Sequence, residues 1–331
     1  MGERVALIAG MLPGFLTGAS LTLAWWLAAW VATRSADGKK GVPTRVRWKG
    51  IRRGPRFVAP LAFSASLLIA TTAFFSWPDQ FWFSTNTHRI VHIGAAAGLA
   101  GIVLSFLPVA LWTRLLGAVL FGGVGAFGAW AMFGAIHPDY QAEFVGPGGA
   151  ALWIPLTGVL VAVSAFAAET VAARGERGWR SVLPFAPVMA ALTPLMFYGG
   201  FAGGSIEMTG LIATTTAAFA ASLLAPGLRI AGGGAGALAT LASAVVISAR
   251  VGGEHFDPAS FVVLLLVPVG GLAALLFRRA SRTGAIAATV GMLTCAGIGG
   301  GLVYAAVERA AAEETAEEDE YDASAYENFG Q

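Results

Sequence analysis

Charge is what this chain lacks. Only 12% of its 331 residues are Asp, Glu, Lys or Arg, against about 25% in an ordinary soluble domain. A soluble chain of this length would form about two domains, each needing a polar coat. With 56% apolar residues there is too little polar surface to supply one. A bilayer removes the need, because its hydrocarbon accepts apolar side chains directly. Cysteine is almost missing too: Cys295 stands alone, which excludes an intramolecular disulfide. No Gly-x-x-x-x-Gly-Lys-Ser/Thr loop, no Gly-x-Ser-x-Gly elbow and no lysine within an apolar run occur. The familiar signatures of nucleotide and serine-hydrolase chemistry are therefore absent.

What the chain does have is apolar runs. About 20 such residues cross the hydrocarbon core as a helix, and ten segments approach that length. They lie near 5–33, 57–77, 90–112, 115–136, 149–172, 182–202, 208–225, 230–249, 259–277 and 283–306. The predicted fold class is all-α, a polytopic transmembrane bundle spanning residues 1–306. A nine-span count follows if one glycine-rich segment is re-entrant. The first run is too long for the apolar part of a signal peptide and is expected to be a retained anchor.

Basic residues fix the expected orientation, since they are retained on the cytoplasmic side. Seventeen of the 21 fall in alternate loops, and only Arg4, Arg89, Arg250 and Arg309 fall on the opposite side. Both termini are then extracytoplasmic and the expected location is the plasma or inner membrane. Nine of the seventeen crowd into the loop 34–56, which serves topology and offers a surface to anionic lipid headgroups. Nucleic acid is not expected as a partner. The tail 307–331 carries nine acids among alanines, so disorder or a frayed helical extension is expected.

Two finer patterns concern assembly. Arg53-Gly54-Pro55-Arg56 leads into the second span much as Arg177-Gly178-Trp179-Arg180 leads into the sixth. A shift of four spans keeps orientation, which suggests a parallel internal repeat. Glycines concentrate in the fourth, eighth and tenth spans. Small residues let helices approach closely in lipid, so these three are expected at the bundle centre, with the first and ninth spans facing lipid. Pro184, Pro187 and Pro194 make the sixth span the one expected to bend most.

Candidate chemistry lies in two places. Within the spans, Glu169 is the ionisable residue singled out, expected near the inner interface and paired with Arg174 or snorkelling. Hydroxyls such as Thr214, Thr215 and Thr216 are available to a facilitator. On the outer face, His88 and His92 share a helical face, His137 precedes Asp139, and His255 follows Glu254. Convergence of His88, His92, His137, Asp139, Glu254 and His255 would suit zinc or copper. The zincin glutamate is missing, because Arg89-Ile90-Val91 separates the first two histidines. The leading functional reading is a non-enzymatic structural subunit or a passive small-solute permease. The alternatives are an extracytoplasmic metal-binding protein or metal-dependent enzyme, and an assembly or docking factor with membrane-protein partners.

Overall fold

In the computed structural model of the chain, the described residues are 56–75, 86–175, 178–224, 229–253, 255–276 and 282–328. The first predicted span and all of the basic loop except Arg56 lie outside them. Every regular element among the described residues is helical. The main helices are α1 (Val58–Phe75), α2 (Asn86–Ser105), α3 (Leu111–Phe133), α4 (Gly149–Arg174), α5 (Gly178–Val182) and α6 (Phe185–Tyr198). Then come α7 (Ala202–Leu224), α8 (Gly234–Gly252), α9 (Pro258–Leu265), α10 (Val267–Leu276) and α11 (Arg282–Asn328).

Each predicted span from the second to the tenth overlaps one of these helices or a broken pair, although α2 stops seven residues short of the predicted end of the third span. The helices α2, α3, α5 and α7 begin four to six residues earlier than predicted. Hydropathy marks where apolar residues begin, whereas helical hydrogen bonding also takes in polar first turns such as Asn86-Thr87-His88-Arg89. Among the described residues, five helices are long and apolar enough to cross a bilayer: α3, α4, α5 with α6, α8, and the Thr283–Thr315 part of α11. The pair α9 and α10 makes a sixth if read as one broken span. The apolar stretches of α1 and α2 are shorter, at Val58–Thr72 and Arg89–Ser105.

At the centre stands α8. Apart from Arg250 its side chains are small or aliphatic, so neighbours approach from every direction. It packs against α1, α2, α3, α4, α6, α7 and α9, and 89% of its apolar window is buried inside the bundle. The expectation of a glycine-rich centre thus holds for the eighth span. It fails for the tenth, where only 28% of the window is buried. At Gly297 and Gly301 of α11 an added Cβ would meet nothing within 4 Å. At those two positions glycine leaves an outward face thin, whereas Gly291 and Gly299 of the same helix pack closely on Gly270 and Leu264.

The seam between α3 and α4 shows the same device. A Cβ at Gly122 would stand 2.8 Å from that of Ala162 and 2.9 Å from the carbonyl oxygen of Gly158. A Cβ at Gly158 would stand 2.9 Å from that of Ala126. The absence of side chains at these two positions is therefore what permits the contact.

The sharpest bend falls in the ninth span, not the sixth. The axes of α9 and α10 differ by 51° at Leu266, while α5 and α6 together continue as one span. Pro268 accounts for the break, because it has no N–H to return to the carbonyl of Leu264 and disfavours helix at the residue before it. Nor does this span simply face lipid. Phe261, Leu264, Leu265 and Val267 are buried, and the broken helix packs on α4, α8 and α11. The helix α4, its counterpart under the expected four-span shift, is continuous over 26 residues.

The two ends of the bundle differ in charge. At one end Arg56 donates to the Leu107 carbonyl (3.3 Å) and Arg174 to the Leu275 carbonyl (3.1 Å). Arg174 and Arg180 share a cleft there with Gly284 at the start of α11. At the other end Asp257 caps α9 by accepting from the Ser260 N–H (2.7 Å) and stands 3.8 Å from Arg309 of α11. From Arg309 the helix continues through the acidic segment to Asn328.

Candidate functional site

Glu169 lies near the Arg-rich end of α4, yet its carboxylate turns away from Arg174 and into the bundle. It is 4% exposed. One oxygen accepts from the Gly232 N–H (2.7 Å), and the other from the N–H groups of Gly233 (2.8 Å) and Gly236 (2.9 Å). These donors form the first turn of α8 and the residues just before it. The expected partnership with Arg174 does not occur: that guanidinium is hydrogen-bonded to Leu275.

The glycines make this possible. Gly232 and Gly233 have φ of +93° and +107°, the region open to glycine at no steric cost. Successive N–H groups in that conformation, followed by a helix N-terminus, form a concave anion cradle. Its anion comes from the chain itself. The cradle is filled, so the Glu169 cluster reads as a lock between α4 and α8 rather than a ligand site.

Glu207 is the opposite case, and hydropathy misses it. The predicted seventh span starts at 208, which would leave Glu207 in a loop; instead it lies within α7 and is 0% exposed. Both carboxylate oxygens are buried without a hydrogen-bond partner among the described residues. Helical spacing puts Gly204, Gly210, Leu211 and Thr214 on its side of α7. A Cβ at Gly204 would stand 3.1 Å from Val245 Cγ1 on α8, and one at Gly210 would stand 2.9 Å from Ala70 Cβ on α1. Glu207 is thus enclosed on the face that α7 turns toward α1 and α8. The readable signal is an acid between Ile206 and Met208, one residue outside the predicted apolar run.

The hydroxyls around α7 are mostly committed. Ser66 donates to the Gly210 carbonyl (2.8 Å), as does Thr214 (3.0 Å), and Thr215 donates to Leu211 (2.6 Å). Thr216 faces outward. The three threonines therefore do not form a hydroxyl-lined path. A separate small cavity lies beside the α9–α10 break, lined by Ser164, Met189, Ser243, Val246, Pro268 and Met292 among others. It has room for little more than a water molecule. The Ser164 hydroxyl is buried there without a partner among the described residues, while Ser243 donates to Ala239 (2.8 Å).

The six predicted metal ligands are only partly placed. Glu254 and the side chain of His88 lie outside what is described. His92 is half-buried in the first turns of α2. His137 and Asp139 are exposed on the turn after α3, with Nδ1 3.4 Å from the carboxylate. His255 follows α8, its backbone N–H directed at the Gly199 carbonyl (3.4 Å). Among the described residues, no three His, Cys, Asp or Glu side chains gather closely enough to hold a metal ion. No protein-family model and no curated protein matches this sequence.

Proposed function

We propose that this chain is a ten-span protein of the plasma or inner membrane, with both termini extracytoplasmic, that acts as a permease for a small solute rather than as an enzyme. The observation carrying the reading is the broken helix α9–α10 beside the Ser164–Ser243 cavity. Transport proteins use interrupted helices at mid-bundle because freed backbone groups are tolerated only where they meet protein or line a cavity. Here the break adjoins the central helix, and the cavity beside it is lined by Ser164 of α4 and Ser243 of α8 among apolar walls. The orientation is supported by the grouping of Arg56, Arg174 and Arg180 at one end of the bundle.

The test is solute flux in liposomes reconstituted with the full chain, over a panel of small neutral solutes. At least one should enter severalfold faster than into empty vesicles. Ser164→Ala, which removes the unpartnered hydroxyl and adds no atoms, should slow that flux while leaving the melting temperature nearly unchanged. Flux equal to that of empty vesicles across the panel would sink the permease reading.

A further inference from the structure

We propose that Glu207 is a reversible proton-binding site, opening toward the bundle end that carries Phe201 and Gly252. The inference goes beyond the permease reading, because the site takes up a proton whether or not a solute moves with it. Its ground is enclosure without compensation. A carboxylate with no hydrogen-bond donor and no cation beside it is strongly disfavoured in an apolar interior, and ionisable residues kept at such depth mark ion or proton sites. Glu169 shows how the same bundle compensates a buried carboxyl group: it supplies three N–H donors. Glu207 receives none among the described residues.

The neighbours favour a proton over a metal cation. The helices packed on α7 are α1, α5, α6 and α8. Their ionisable groups are Arg180 on α5, Tyr198 on α6 and Arg250 on α8, with none on α1. None of these is hydrogen-bonded to Glu207. A bound Ca²⁺ or similar hard cation asks for about six oxygens. The described surroundings offer one carboxylate and few hydroxyls: Ser66 and Thr214 are engaged with the Gly210 carbonyl, and Ser248 on α8 is buried without a partner among the described residues. A proton asks only for the carboxylate.

Access is set by Phe201. Its ring packs against Gly204, one turn from Glu207, and against Gly252 at the end of α8. Phe201 therefore lies between Glu207 and the nearest end of the bundle. Loading forms an O–H bond on one Glu207 oxygen with a proton from water at that end, and release returns it.

A hydrophobic carbodiimide distinguishes the two buried acids, because it reacts with protonated carboxyls to give a stable acylurea. With the full chain in liposomes, peptide mapping should find the adduct on Glu207 and none on Glu169. The rate should fall about tenfold per pH unit above the midpoint of the group. Phe201→Ala should accelerate labelling and Glu207→Gln should abolish it. Infrared difference spectra of the unmodified wild type should show a protonated-carboxyl band that titrates with pH and is missing from Glu207→Gln. Labelling of Glu207 at a pH-independent rate, or no labelling at any pH, would overturn the proposal. So would a wild-type carboxyl band identical to that of Glu207→Gln. These readouts do not depend on flux, so failure of the solute panel leaves them intact.

Discussion

Replacing Glu169 with alanine is expected to lower stability by about 4 kcal/mol or more, since hydrogen bonds to a charged group contribute about 1.5–3 kcal/mol each and the orphaned N–H groups add their own desolvation. Against a total of about 5–15 kcal/mol, that is a large share. The pattern across substitutions is more telling than the single value. Gln at 169 keeps an acceptor oxygen for Gly233 and Gly236 but turns an amide NH₂ toward Gly232, so a loss of about 2 kcal/mol is expected. Arg174→Ala removes only a partly exposed bond to Leu275 and should fall well below either. Thermal or denaturant unfolding in a mild detergent gives the order directly. Should Arg174→Ala prove as damaging as Glu169→Ala, the lock between α4 and α8 would be the wrong account of this carboxylate.

Gly233→Ala is the second large effect. At φ +107° any side chain is strained, by about 1–3 kcal/mol before contacts are considered. The added methyl would also collide with the carbonyl group of Gly101 on α2. Backbone faces backbone there, so no rotamer change relieves it. Purification should yield little monodisperse protein. The same substitution at Gly297, where an added Cβ meets nothing, should be neutral or stabilising by up to about 1 kcal/mol, as for any helical glycine replaced by alanine. Equal behaviour of the two variants would contradict the packing described for α8 and α11. The contrast is useful because both glycines belong to runs that look alike in sequence.

That likeness accounts for part of what the sequence could and could not convey. Apolar length alone locates the helices from the second span onward, because a run long enough to match a bilayer has little use in a soluble fold. Composition cannot tell the glycines of α8 from those of α11. Their difference lies in which neighbour approaches, as with Phe121 against Gly236 and nothing against Gly301. Glu169 is legible as an unusual acid but not in its partner. An acid five residues from an arginine invites local pairing, whereas the actual donors lie 63 to 67 positions away. The hint is the run Gly232-Gly233-Gly234 opening a helix, which suits an anion cradle as well as close packing. Glu207 is hidden by the hydropathy boundary. Gly203, Gly204 and Ser205 dilute the first turns of α7, so by hydropathy the apolar run begins after the acid rather than around it.

The 63 positions between Glu169 and Gly232 also have a meaning in time. At about 5–20 residues per second, the Gly232-Gly233-Gly234 run leaves the ribosome about 3–13 seconds after Glu169 does. For that interval the fifth span is complete while its carboxylate has no cradle. The acid must wait beside interfacial water or hold a proton until α8 arrives. Insertion of α8 then ends the wait, so burial of this carboxylate reports that the eighth span has been delivered. Biogenesis of the bundle acquires a checkpoint, and Glu169 variants should be recognised by membrane quality control late in synthesis, after α4 is already in place.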